Sequence, residues 1–64
     1  MQTQLDIDTV AFVGAYIAGN RAAQDHPDRG AFNIADDLGH ARETPLWNAA
    51  VGGAADFLFD GAVL

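Results

Sequence analysis

The chain has 64 residues, with nine acidic residues against three arginines, no lysine and no cysteine, and a formal net charge of −6. A chain this short predicts one domain over residues 1–64, with little room for an enclosed active-site cavity, which argues against an enzyme. Its acidity disfavours direct binding to nucleic acid, because phosphates would be repelled. The lack of cysteine excludes disulfides and thiolate metal sites, and it favours either a reducing, cytoplasmic setting or simply a good helical core.

Membrane association is not expected. The longest nearly apolar run, residues 10–19, is about half as long as the ~20 residues that span a bilayer. The N-terminus also lacks the basic segment of a signal peptide. Alanine supplies 13 residues and glycine 7, and side chains this small allow helices to pack closely.

The first part of the chain predicts one long helix. Residues 1–7 alternate weakly between polar and apolar side chains, which is typical of a short strand or a frayed arm. A helix over 8–25 follows, with Asp6 or Asp8 as its N-cap. Its spacing predicts one apolar face and, on the opposite side, a second set led by Phe12. The first face comprises Val10, Val13, Gly14 and Ile17, and the second comprises Phe12, Ala15 and Gly19.

A loop over residues 26–30 (HPDRG) separates this helix from a second, shorter one, because proline disfavours a helical conformation for the residue before it. The second helix is predicted over 33–43 with Asn33 as N-cap. At that spacing Asp36, His40 and Glu43 would share one helix face.

The third helix, over 45–60, carries the strongest local signals. Thr44 suits the N-cap and Pro45 the first helical position. An apolar arc faces the core, with Trp47 as its anchor. Gly61 either ends the helix as a C-cap or, with Asp60, begins a hairpin that pairs the tail with residues 2–7. The fold prediction is therefore a mostly α three-helix bundle, with a small α+β fold with a short terminal strand pair as the alternative.

No constellation in the sequence points to catalysis, a cofactor or a bound metal. Asp36, His40 and Glu43 form the one metal-like grouping, and three exposed polar residues on a short helix are usually its solvated face. His26 and His40 could act as general bases, but the chain has no serine or cysteine nucleophile and no phosphate-binding loop. We expect a protein that is not an enzyme.

The acidic residues are the most informative group for function. Five of them lie within residues 25–43, against two arginines, and in a compact bundle they could form one negative patch. Such a patch could bind the basic, nucleic-acid-binding surface of a partner protein. The simpler alternative is a solvated surface without a partner. The predicted partner-binding residues are Asp25, Asp28, Asp36, Asp37 and Glu43.

In size, acidity and lack of a catalytic motif the chain resembles small phage-type inhibitors of host machinery. Anti-CRISPR proteins that block the DNA-binding surface of a Cas protein are one such group. This resemblance implies an inhibitor that mimics nucleic acid. It rests on size and charge and not on a residue motif. The rival hypothesis is a helical self-association or adaptor module, which could form a homodimer. In that case its acidity would serve only solubility. Its apolar dimer face would consist of Phe12, Ala15, Gly19 and Phe59.

Overall fold

The protein is a three-helix bundle. A computed structural model describes the backbone of residues 3–64 and the side chains of residues 9–64. The helices are α1 (Thr3–Asp25), α2 (Ala31–Asp37) and α3 (Pro45–Asp60). The prediction of a mostly helical single bundle is confirmed. The alternative with a terminal strand pair is wrong, because residues 3–7 belong to α1 and the tail after Gly61 is irregular.

The first helix begins earlier than its sequence signals indicate. α1 runs through both Asp6 and Asp8, so neither is its N-cap, and the weak alternation over residues 3–7 does not form a strand. Residues 1–2, the start of that predicted arm, lie outside the described residues. The end of α1 at Asp25 agrees with the prediction, since Pro27 follows directly after His26.

The second helix is shorter than predicted and begins two residues earlier. Gly30 precedes α2, and Asn33 is not the N-cap but lies inside the helix, where its side-chain amide donates to the Arg29 carbonyl at 2.9 Å. α2 ends at Asp37 because Gly39 adopts a left-handed conformation, with φ of 92°. His40 and Glu43 therefore belong to the following loop and share no helix face with Asp36.

The third helix matches its predicted limits at both ends. The Thr44 hydroxyl accepts a hydrogen bond from the Trp47 amide at 3.3 Å, and Pro45 occupies the first turn. At the other end Gly61 is left-handed, and the amides of Gly61 and Ala62 donate to the carbonyls of Phe57 and Asp56. These two bonds satisfy carbonyls that a helix end otherwise leaves without partners.

Helices α1 and α3 run in the same direction and cross at their small residues. The middle of α1 meets the middle of α3 where Gly19 lies against Ala50, and Ala23 packs further along against Ala54. Gly53 lies directly on the backbone of Tyr16, and a Cβ added to it would be 2.8 Å from that carbonyl carbon. The two backbones are therefore too close to admit a methyl group at either glycine.

This close crossing decides which side of α1 is buried. Ala15 and Gly19, expected to lie opposite the main apolar face, are buried against α3. Val10 and Val13, from the expected apolar face, are exposed, Val10 to 70%. The prediction from apolar spacing was wrong here because Ala50 and Gly53 leave room for small side chains only.

Asn20 joins α1, α3 and the tail. Its side chain is fully buried, and its amide nitrogen donates to the carbonyls of Gly53 at 2.9 Å and Ala62 at 2.8 Å. Its amide oxygen accepts from the Gln24 side chain at 2.8 Å and from the Leu64 backbone amide at 3.1 Å. Two donor and two acceptor positions are filled, so this buried amide carries no unsatisfied group.

The remaining core lies between α2 and α3. Ile34 packs with Ala23 and Ala54, and Ala35 packs with Trp47 and Ala50. Trp47 is buried, as predicted for a core anchor. Within residues 3–64, no helix has both the length and the apolar character needed to cross a membrane.

Candidate functional site

The carboxyl ends of α1 and α3 meet at one end of the bundle. Ala22 and Ala23, in the last turn of α1, belong to the same apolar cluster as Phe57 and Leu58, in the last turn of α3. Each helix end carries a partial negative charge, and neither last turn contains a basic residue. Of the three helices, only α2, seven residues long, begins at this end.

Four carboxylates accompany these two helix ends. Asp25 is the last residue of α1, Asp28 lies in the loop that follows, Asp56 lies one turn before the end of α3, and Asp60 is its last residue. Asp25, Asp28 and Asp60 are exposed. We call this surface the acidic end, and it consists of Asp25, Asp28, Asp56 and Asp60. Among the described residues, none of the four forms an ion pair.

A groove of about 600 Å³ lies beside the acidic end, between α1 and α2. Its polar lining includes Asp25, Arg29 and Asp37, and its apolar lining includes Ile34 and Leu38. Arg29 and Asp37 form an ion pair at 2.7 Å, so they largely cancel each other's charge. Asp25 is therefore the uncompensated carboxylate of the groove.

The three arginines do not neutralise the acidic end. Arg29 pairs with Asp37, and Arg42 pairs with Asp36. Arg21 is exposed on α1, one turn before its end, and the described residues provide no ion pair for it. The acidic end thus keeps a net negative charge even after Arg21 is counted.

Asp36 belongs to a different part of the surface. Its carboxylate accepts two bonds from Arg42 Nε at 3.1 Å, a third from Arg42 Nη2 at 2.7 Å, and one from Trp47 Nε1 at 2.9 Å. The hydrogen bonds from Arg42 and Trp47 lower the pKa of Asp36, because they stabilise its charged form, and the same pairing raises the pKa of Arg42. Glu43, next to Arg42, adopts a left-handed conformation with φ of 67°.

This lowered pKa predicts a contribution to acid sensitivity. The Asp36 carboxylate stabilises the fold above the usual aspartate pKa of about 3.9, and this stabilisation is lost as the pH falls through its lower folded pKa. We expect the urea midpoint to fall less between pH 5 and pH 2.5 in Asp36→Asn than in the wild type. Every other carboxylate is the same in both proteins, so an equal fall in both would contradict the prediction.

The structure brings together only part of the predicted acidic patch. Asp25 and Asp37 line one groove with Asp28 in the adjacent loop, whereas Asp36 bonds Arg42 next to Glu43, on the Trp47 side of α2. Asp56 and Asp60 were not predicted as site residues, because only the parallel direction of α1 and α3 brings them to the acidic end. One feature of the sequence could have indicated this acidic surface: the last turns of α1 and α3 contain no basic residue.

The predicted self-association face does not exist as one surface. Ala15 and Gly19 are buried between α1 and α3 and cannot contact a second chain. Phe12 is about half exposed and lines a separate apolar groove of about 620 Å³ with Pro45 and Leu46. Phe59 is 82% exposed near the end of α3.

The two histidines lie in different grooves. Among the described residues, no group of three or more histidine and carboxylate side chains could hold a metal ion. His26 lines the groove beside Asp25, and His40 lines the apolar groove beside Phe12. No family model, curated protein or solved structure matches the chain.

Proposed function

We propose that this protein is a non-enzymatic binding module that presents its acidic end to a basic surface of a partner protein. The observation that supports this function is the meeting of two helix carboxyl ends with four carboxylates that no arginine pairs with. Charge of one sign at one end of a molecule steers a partner of opposite charge and speeds association. The groove beside Asp25 adds apolar surface for the stem of a basic side chain.

The partner that fits this chemistry best is the nucleic-acid-binding surface of another protein. Such surfaces are basic because they bind phosphates, and a row of carboxylates can occupy them instead. In this proposal the protein is a cytoplasmic inhibitor or regulator of the phage-type anti-defence class, with anti-CRISPR activity as the concrete case. It needs no cofactor and binds no nucleic acid itself.

The first test is capture from a lysate of the native host at low salt, followed by washes of rising salt. We expect a nucleic-acid-binding protein that elutes as salt rises and that duplex DNA displaces, because both ligands would compete for one surface. A partner that remains bound in 1 M salt, or that DNA leaves in place, would contradict nucleic-acid mimicry.

Two single charge reversals test whether the acidic end is the site. Asp28→Lys and Glu43→Lys each change the net charge by the same amount in an exposed loop, at different parts of the surface. We expect Asp28→Lys to weaken binding of the captured partner about tenfold more than Glu43→Lys, because only Asp28 lies at the acidic end. Calorimetric titration at several salt concentrations measures the difference. Equal losses would show that only the total charge matters.

Self-association is the second candidate, on surfaces other than the one predicted. The observation that favours it is the exposure of Val10, Val13, Phe12 and Phe59 in a chain this small. A dimer through these side chains would be nearly indifferent to salt and would weaken in Phe12→Ser. Sizing chromatography over a range of protein and salt concentrations separates this function from the first.

A further inference from the structure

Arg42 lies in an aromatic and acidic cage on the Trp47 side of α2. Its guanidinium carbon is 5.7 Å from the ring centroid of Phe32 and 5.6 Å from that of Trp47. Its nitrogens form the forked contact with Asp36 described above. Two aromatic faces with one carboxylate provide the combination that favours a planar guanidinium. We call Phe32, Asp36 and Trp47 the guanidinium cage.

The walls of the cage hold one another in place without Arg42. Phe32 and Asp36 are one turn apart on α2, and Trp47 is anchored in the core from the first turn of α3. The Trp47 indole donates to Asp36 at 2.9 Å, and the Phe32 and Trp47 rings have centroids 5.2 Å apart, tilted by 44°. All three residues are on helices, so the cage is preformed.

Arg42, in contrast, reaches the cage from outside. It lies in the loop over residues 38–44, and its side chain is 55% exposed. Phe32 is itself 56% exposed, so its ring is not needed to fill the core. The guanidinium of another chain could make the same contacts once Arg42 swings into solvent, because exposed ion pairs of this kind exchange readily with water.

We infer that the guanidinium cage is a binding site for an arginine side chain of a partner, and that Arg42 is its internal competitor. The class of ligand is a guanidinium, selected over an ammonium by the forked contact with Asp36 and by stacking on two rings. This site is separate from the acidic end and does not depend on it. Either site can fail its test while the other stands.

The test uses N-acetyl-argininamide as the probe and the fluorescence of Trp47, the one tryptophan of the chain, as the readout. In the wild type Arg42 competes with the probe, so we expect weak binding. In Arg42→Ala the cage is empty, and we expect binding about tenfold tighter. In the double variant Arg42→Ala with Asp36→Asn this gain should be lost, because the amide keeps the size of the side chain but removes its charge.

Matched controls separate the cage from general charge effects. Arg29→Ala removes the same charge from the other ion pair, and it should bind the probe as weakly as the wild type. N-acetyl-citrullinamide, of the same shape without the charge, should not bind to Arg42→Ala. Circular dichroism confirms that each variant is folded, and Arg42→Gln replaces Arg42→Ala should the latter unfold. Binding to Arg42→Ala no tighter than to Arg29→Ala would overturn the inference.

Discussion

Gly53→Ala should strongly destabilise the protein at 25 °C. The added methyl would overlap the Tyr16 carbonyl oxygen and would lie 2.8 Å from its carbonyl carbon and 3.1 Å from the Asn20 amide nitrogen. These are backbone atoms of a packed helix, so α1 and α3 must separate to relieve the overlap. We expect a loss of about 3 kcal/mol or more in the free energy of unfolding, at the upper end for overpacked cores. A domain of this size has only about 3–10 kcal/mol in total.

The neighbouring glycine provides the control for helix propensity. Alanine is the better helix former by about 1 kcal/mol, so propensity alone would make both glycine-to-alanine changes in α3 stabilising. In Gly52→Ala the new methyl meets only the ring of Tyr16, at 3.7 Å, which is ordinary contact. We expect Gly52→Ala to be neutral or up to about 1 kcal/mol more stable. Urea denaturation followed at 222 nm measures both variants, and equal midpoints would refute the close crossing.

Gly14 and Gly19 repeat this comparison on α1. Among the described residues, apart from the neighbouring backbone of α1 itself, nothing lies within 4 Å of a methyl added to Gly14, whereas a methyl on Gly19 would overlap the backbone of Ala50. Gly14→Ala should therefore stabilise the helix, and Gly19→Ala should destabilise the bundle as Gly53→Ala does. Opposite signs for two glycines five residues apart on one helix would locate the contact with α3.

Asn20→Ala should detach the tail and destabilise the bundle by about 3 kcal/mol. The change removes four hydrogen bonds, leaves the Leu64 amide and the Ala62 carbonyl without their partner, and opens a small cavity in a buried site. Each buried polar group left unsatisfied costs about 1–3 kcal/mol, reduced where water replaces the lost partner at the surface. Urea denaturation gives the loss in the free energy of unfolding.

Hydrogen exchange of the Leu64 amide tests the attachment of the tail directly. In the wild type this amide donates to a buried oxygen and should be protected, and in Asn20→Ala it should exchange as fast as an unstructured amide. Gln24→Ala is the control, because it removes only one bond to Asn20 and leaves the tail contacts in place. It should cost less than about 1 kcal/mol and keep Leu64 protected. Unchanged protection of Leu64 in Asn20→Ala would show that other contacts hold the tail.

The acidic end illustrates how a functional surface depends on helix direction. Asp25 and Asp28 were among the predicted partner-binding residues, whereas Asp56 and Asp60 were not. In the bundle, α3 runs parallel to α1 and carries these two residues to the same end. The direction follows from α2 and the loop over residues 38–44 together, since they return the chain to Ala11 and Phe12, in the first half of α1.

Features that depend on neighbouring residues could be predicted from the amino-acid sequence alone. Thr44 and Pro45 begin α3, Gly61 ends it, and His26-Pro27 ends α1, because capping bonds and proline geometry act within one turn. Gly39 was a local signal of the same kind, and it ends α2 at Asp37, well before the predicted limit. Spacing alone also predicted the buried Trp47.

Which faces are buried and which charges remain free depends on contacts that form only in the folded bundle. The face of α1 with Ala15 and Gly19 is buried, whereas Val10 and Val13 are exposed. The reason is that Gly53 brings the backbones of α3 and α1 too close together for larger side chains to fit between them. Asn20 joins the tail to the core because Ala62 and Leu64, which follow it by 42 and 44 positions in the chain, form hydrogen bonds with its side chain. Asp37 pairs with Arg29 from the loop before α2, and Asp36 pairs with Arg42 from the loop after it. Both loop arginines are thus taken up by α2, and Asp25 has no ion pair among the described residues. Contacts over such separations leave no periodic mark in the sequence.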